Sequence, residues 1–129
     1  MIKVYVKKQS NYPVSTKKIK DRVKEVLTKK GIVSDCVVEV DIVGSEKMLK
    51  LAKEYLGEDN TLHNVLSFPE SETKGEFVYP PGDVIRLGEI ILCYPVIVEE
   101  SKHENCLIDD KALELTEHGL YHLLGVHHD

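Results

Sequence analysis

The chain has 129 residues, enough for one domain (1–129) with a real core and too few for two. A hydrophobic share of 42% and a charged share of 30% are ordinary for a water-soluble globular protein, and no apolar run approaches bilayer-spanning length, so no membrane partner is expected. The net charge of −5 argues against a uniformly basic nucleic-acid binder, yet residues 1–53 hold 13 of the 17 Lys and Arg and only 6 of the 22 Asp and Glu, which allows a local basic face for a polyanion or simply a solvated lysine-rich helix.

Ile2–Lys8 alternates apolar and polar residues and is predicted as a strand, with lysines and no signal-peptide core around it. Ser15 or Thr16 is placed to cap a helix running to about Lys30, with Gly31 as its stop and Ile19, Val23, Val26 and Leu27 as the inner positions. Cys36–Val43 is β-branched and reads as a second strand. Gly44-Ser45-Glu46 starts a helix through Tyr55, with Leu49, Ala52 and Tyr55 as inner positions and Gly57 as its end. A polar loop over Glu58–Leu62 follows, and His63 reads as a loop histidine in solvent. Asn64–Pro69 is a short strand stopped by proline, and 70–83 is loop-like, punctuated by Pro80-Pro81-Gly82. Leu87–Cys93 is the fourth strand, Pro95 occupies the first turn of a helix reaching roughly Glu104, and Asp109 or Asp110 caps the last helix. This order gives an α+β domain with a small mixed sheet of about four strands and four to five helices. Cys36, Cys93 and Cys106 are odd in number and lack CxxC spacing; they read as small core residues of a cytoplasmic protein kept reduced.

The last helix runs into His118-Gly119-Leu120-Tyr121-His122-Leu123-Leu124-Gly125-Val126-His127-His128-Asp129, which holds four of the six histidines. His118 and His122 stack one turn apart on one helix face. Gly125 can take the left-handed conformation that stops a helix, so the chain turns back and His128 can supply a third nitrogen, with His127 as its rival. Leu120, Leu123 and Leu124 are interleaved as a buried helix face, which a purification tag would not show. Three neutral imidazoles with an open fourth position suit a catalytic zinc-type centre at the end of this helix; nickel, cobalt or copper would also be accepted. Metzincin proteases place their general-base Glu directly after the first His, and here that position is Gly119, so peptide hydrolysis is not expected.

The variant His-Gly-x-x-His-Leu-x-Gly-x-x-His, matched at His118, Gly119, His122, Leu123, Gly125 and His128, is the pattern of the YbeY family, which this sequence resembles along nearly its whole length. Asn64-Val65-Leu66-Ser67-Phe68-Pro69 is similar to the family's Thr-Asp-Val-Leu-Ser-Phe-Pro strand, and Leu87-Gly88-Glu89-Ile90-Ile91 to its Leu-Gly-Asp-Ile strand. The resemblance implies one metal held by His118, His122 and His128, and a metal-dependent endoribonuclease that hydrolyses single-stranded ribosomal RNA with a metal-activated water. Ribosomal RNA and ribosomal proteins are the partners it implies, in the cytoplasm. Departures from the pattern are Leu56, where an Arg usually follows the tyrosine, His63-Asn64 in place of Thr-Asp, and His127 in place of the penultimate Asp. Asp129 is a candidate to accept a hydrogen bond from a ligand histidine. Glu89 and Glu117 are the carboxylates near the motifs, and both are expected to be structural or exposed. Two rival readings stand beside this one: a non-catalytic, metal-stabilised ribosome-assembly module, and a metallohydrolase acting on small phosphoesters or amides.

Overall fold

The computed structural model describes residues 1–70 and 84–125. The Pro80-Pro81-Gly82 punctuation and His127, His128 and Asp129 lie outside the described residues. Among the described residues, eight elements follow in chain order: β1 (Ile2–Lys8), α1 (Thr16–Lys29), β2 (Cys36–Val43), α2 (Ser45–Leu56), β3 (Val65–Pro69), β4 (Ile85–Cys93), α3 (Tyr94–Glu104) and α4 (Ile108–Leu123). The strands form one sheet in the order β1-β2-β4-β3. β1, β2 and β4 run parallel and β3 pairs antiparallel to β4, so the sheet is mixed and the class is α+β, as the element order implied.

Alternation along the strands divides the core into two. On one face, Val38, Val40 and Ile42 of β2 and Ile90 and Leu92 of β4 pack with Ile19, Val23 and Leu27 of α1 and with Ala112, Leu115, Leu120 and Leu123 of α4. On the other, Val43, Leu66, Phe68, Ile91 and Cys93 pack with Met48 and Ala52 of α2. Each large side chain buried in this way contributes about 1.5–3 kcal/mol. The inner stripe of α2 therefore begins at Met48, fully buried, and not at Leu49, which is half-buried. The run Met48, Ala52, Tyr55 keeps the i, i+4, i+7 spacing of a sheet-facing helix, and the Tyr55 ring rests on Phe68 with centroids 4.7 Å apart.

The start of α1 is tied to the first turn of α4. Ser15 Oγ accepts from the Lys18 backbone N–H at 3.2 Å, as a cap should. Asp109, expected to cap α4, does something else: its Oδ1 accepts from the Ser15 backbone N–H at 3.0 Å. α4 starts two to three residues earlier than expected, after Leu107, so Asp109 and Asp110 fall in its first turn, where the helix dipole favours negative charge. Cys36 and Cys93 are buried and Cys106 half-buried, all as free thiols. Among the described residues no helix is long and apolar enough to cross a membrane.

Candidate metal centre

α4 lies on the sheet through Ala112, Leu115, Gly119, Leu120 and Leu123 and leaves Glu114, His118 and His122 exposed. The spacing argument holds in space for the first two predicted ligands. Nε2 of His118 and Nε2 of His122 stand 3.1 Å apart, with ring centroids at 4.7 Å and an interplanar angle of 69°. Two nitrogens bound at about 2.0–2.1 Å to one tetrahedral ion are separated by about 3.3 Å, so the pair is set at nearly the spacing of adjacent ligands. The donor chemistry suits zinc, nickel or cobalt. No third His, Cys, Asp or Glu joins the pair among the described residues; His128 and its rival His127 lie outside them.

Two glycines of the motif have separate physical reasons. Gly119 faces the sheet, where a Cβ would lie 2.9 Å from Ile90 Cγ2 and 3.4 Å from Val65 Cγ2. The position is a quarter-turn away from the histidines, and a glutamate there would be driven into the core rather than toward the site. Gly125 has φ +75° and donates its N–H to His122 O at 3.1 Å, closing the helix where expected.

Glu117 is engaged on the α1 side of the helix: it accepts from Arg22 at 3.1 Å and from the Tyr121 hydroxyl at 3.0 Å. That hydrogen bond, ahead of burial, raises the Tyr121 pKa. Arg22, Glu114, Glu117, His118 and Tyr121 border an open cleft of about 500 Å³ beside the histidines. Glu89 alternates with the inward-facing Ile90, so it lies on the far face of the sheet from α4. Burial pushes its carboxyl up, followed by Glu39 and Asp41 nearby. Both carboxylates thus have structural surroundings.

Sequence reading missed Lys111. It is 7% exposed, yet it is surrounded by carboxylates: Glu114 at 2.5 Å, Glu104 at 2.7 Å and Glu100 at 3.7 Å. Burial alone would lower its pKa, but the hydrogen bonds it donates to Glu104 and Glu114 more than compensate and hold it above the ordinary ammonium value. The available signal was positional, since Lys111 precedes Leu115, His118 and His122 by four, seven and eleven residues on one helix face.

The sequence model of the family described as Endoribonuclease YbeY matches residues 4–129. The chain belongs to the YbeY family. It is 31% identical over 111 residues to an endoribonuclease YbeY of Acinetobacter baumannii, covering 86% of this chain and 68% of that protein. With the endoribonuclease YbeY of Alteromonas mediterranea it shares 35% over 104 residues, which is 80% of this chain and 60% of the relative. The solution structure of TM1509 from Thermotoga maritima is similar, with a TM-score of 0.58 and 26% identity over 98% of this chain and 75% of that one.

The departures from the YbeY pattern at Leu56, His63 and Asn64 have a structural setting; the one at His127 lies outside the described residues. Leu56 is the last residue of α2 and is 48% exposed, a large apolar group where the family usually carries a guanidinium. His63 is not a solvent histidine as expected; it is half-buried, with Nε2 2.9 Å from Glu58 Oε1. Glu58 follows the left-handed Gly57 and so folds back toward the loop that His63 closes. Asn64 turns its amide onto Glu100 of α3.

Proposed function

We propose that this protein is a metal-dependent endoribonuclease that cleaves single-stranded ribosomal RNA during rRNA maturation. The observation that carries the reading is the 3.1 Å approach of the His118 and His122 Nε2 atoms on the exposed face of α4, at the spacing of neighbouring metal ligands. Membership of the endoribonuclease YbeY family supports RNA as the substrate. His118, His122 and His128 hold one divalent ion, zinc or another late transition metal. Bound there, the ion supplies Lewis acidity and an activated water.

The chain's own residues do the rest. Gly119 lets α4 sit close on Ile90 and Val65, which fixes the height of both imidazoles above the sheet. Gly125, with φ +75°, ends the helix just after the pair, and in this reading His128 completes the ligand set. The lysines of α1 are exposed, and those with partners, such as Lys17 with Asp21 and Lys29 with Glu25, are held only by weak surface pairs. Phosphates can therefore compete for them and draw an unpaired strand toward the cleft. Ribosomal RNA and ribosomal proteins are the partners of this reading, in the cytoplasm.

Leu56 favours a second reading, a metal-stabilised ribosome-assembly module that docks without cleaving, because no guanidinium grips phosphate at that point. Incubation of ribosomal RNA precursor with metal-loaded protein separates the two. Endonucleolytic products that disappear in His122→Ala support the enzyme. RNA retained but uncut by fully loaded protein supports the module.

A further inference from the structure

We infer that Ser67 is a substrate-binding residue: its hydroxyl donates a hydrogen bond to a phosphate oxygen of the RNA strand where that strand meets the His118–His122 pair. This rests on the metal centre and the RNA substrate proposed above, and it adds a residue of β3 to a site otherwise built from histidines.

Alternation along β3 sends Leu66 and Phe68 into the core under α2 and Val65 toward α4. Ser67, two residues after Val65, stands with it on the α4 side. Its cross-strand partner is Ile90 of β4, so the two side chains stand side by side on that face, with Cβ atoms about 5 Å apart. Ile90 is where α4 rests on the sheet: a Cβ on Gly119 would lie 2.9 Å from Ile90 Cγ2 and 3.4 Å from Val65 Cγ2. One turn later Leu123 comes down on Gly88, the partner of Pro69, where a Cβ would lie 2.9 Å from Leu123 Cδ2. Ser67 is therefore level with the single turn of α4 from Gly119 to Leu123, which carries His122 and directly follows His118. β3 is the outermost strand on this side, so among the described residues no further strand closes the space beyond Ser67. The hydroxyl is half-buried, and among the described residues it has no hydrogen-bond partner. Val65 and Pro69, the other β3 residues on this face, are apolar, so the strand sets no negative charge against a phosphate there. An uncommitted hydroxyl beside a cation site is suited to one charge-assisted bond to a phosphate oxygen.

The test is calorimetric titration of inorganic phosphate into the zinc-loaded full chain, beside zinc affinity by competition with a chromophoric chelator. Ser67→Ala is expected to weaken phosphate about tenfold, while zinc affinity and the urea midpoint stay at their wild-type values. Ser67→Thr keeps the hydroxyl on a residue that suits a strand and is expected to restore most of the phosphate affinity. On an RNA substrate, KM should rise in Ser67→Ala by the same factor with kcat little changed, the mark of an interaction already made in the bound ground state. Phosphate held by Ser67→Ala as tightly as by wild type overturns the inference, as does zinc-loaded wild type that binds no phosphate. A loss of phosphate that comes with a loss of zinc or of stability also overturns it, since Ser67 would then be a packing residue. Failure of the metal centre itself is distinguishable, because wild type and Ser67→Ala would then both bind no zinc.

Discussion

The side-chain amide of Asn64 donates to both carboxylate oxygens of Glu100, at 3.2 Å each. This contact ties the entrance of β3 to α3, and Glu100 continues to Lys111 of α4 at 3.7 Å. Position 64 is where the family pattern has an aspartate, so the negative charge absent from the strand is present across the gap on α3. An aspartate restored at 64 would meet Glu100 directly. Asn64→Asp is therefore expected to destabilise the fold by about 1–2 kcal/mol at neutral pH, through two lost charge-assisted hydrogen bonds and a new repulsion. Urea unfolding checks this, and the deficit should shrink in acid, where one of the two carboxylates takes up a proton.

Gly119 is required by space rather than by backbone conformation. A methyl group there would press on Ile90 Cγ2 at 2.9 Å, inside the packed face of the sheet. Gly119→Ala should cost about 1–3 kcal/mol as Ile90 and α4 adjust. Thermal unfolding of the metal-free protein measures it, and zinc affinity should fall in parallel because the helix that carries both imidazoles is lifted.

Much of this was legible in the sequence, and the exceptions share a cause. Strand alternation over Ile2–Lys8, the helical spacing of Ile19, Val23, Val26 and Leu27, and the Gly125 stop are local patterns, and local geometry decided them. The His118–His122 pair was readable for the same reason. What escaped depended on partners distant in sequence. Asp109 serves the Ser15 backbone across 94 residues, which no capping rule applied to α4 alone can reveal. Lys111 is buried only because α3 presents Glu100 and Glu104 to it. The inner stripe of α2 starts at Met48 because the sheet fixes the helix rotation, and the sequence window admits Leu49 as well.

Glu89 gives the fold a pH dependence. Burial first, and then the neighbouring Glu39 and Asp41, raise its carboxyl pKa, against the opposing pull of Lys7 and Arg86. The folded state thus holds this proton more tightly than the unfolded chain does, and the group's contribution is most favourable in acid and is lost as pH rises from the ordinary glutamate value of 4.5 through the raised one. Glu89→Gln should raise the urea midpoint above wild type at about pH 7 and bring little gain at about pH 4. A gain of the same size at both values would assign the effect to packing instead.

Leu56 sits exposed at the end of α2, so an arginine there meets no steric obstacle and is favoured by the helix C-terminus. Leu56→Arg is expected to change stability by less than about 0.5 kcal/mol. Affinity for single-stranded RNA should rise several-fold at low salt, with the salt slope steeper by roughly 0.7 for one added phosphate contact. Filter binding across a salt series checks both.

The central claim is one metal ion held by His118, His122 and His128, and the most direct test is elemental analysis of the untagged protein beside His118→Ala and His128→Ala. The account predicts about one equivalent of a divalent transition metal in the wild type and loss of it in both variants. Wild-type protein that takes up no metal even after reconstitution would contradict it, and metal retained in His128→Ala but lost in His118→Ala would move the third ligand to His127.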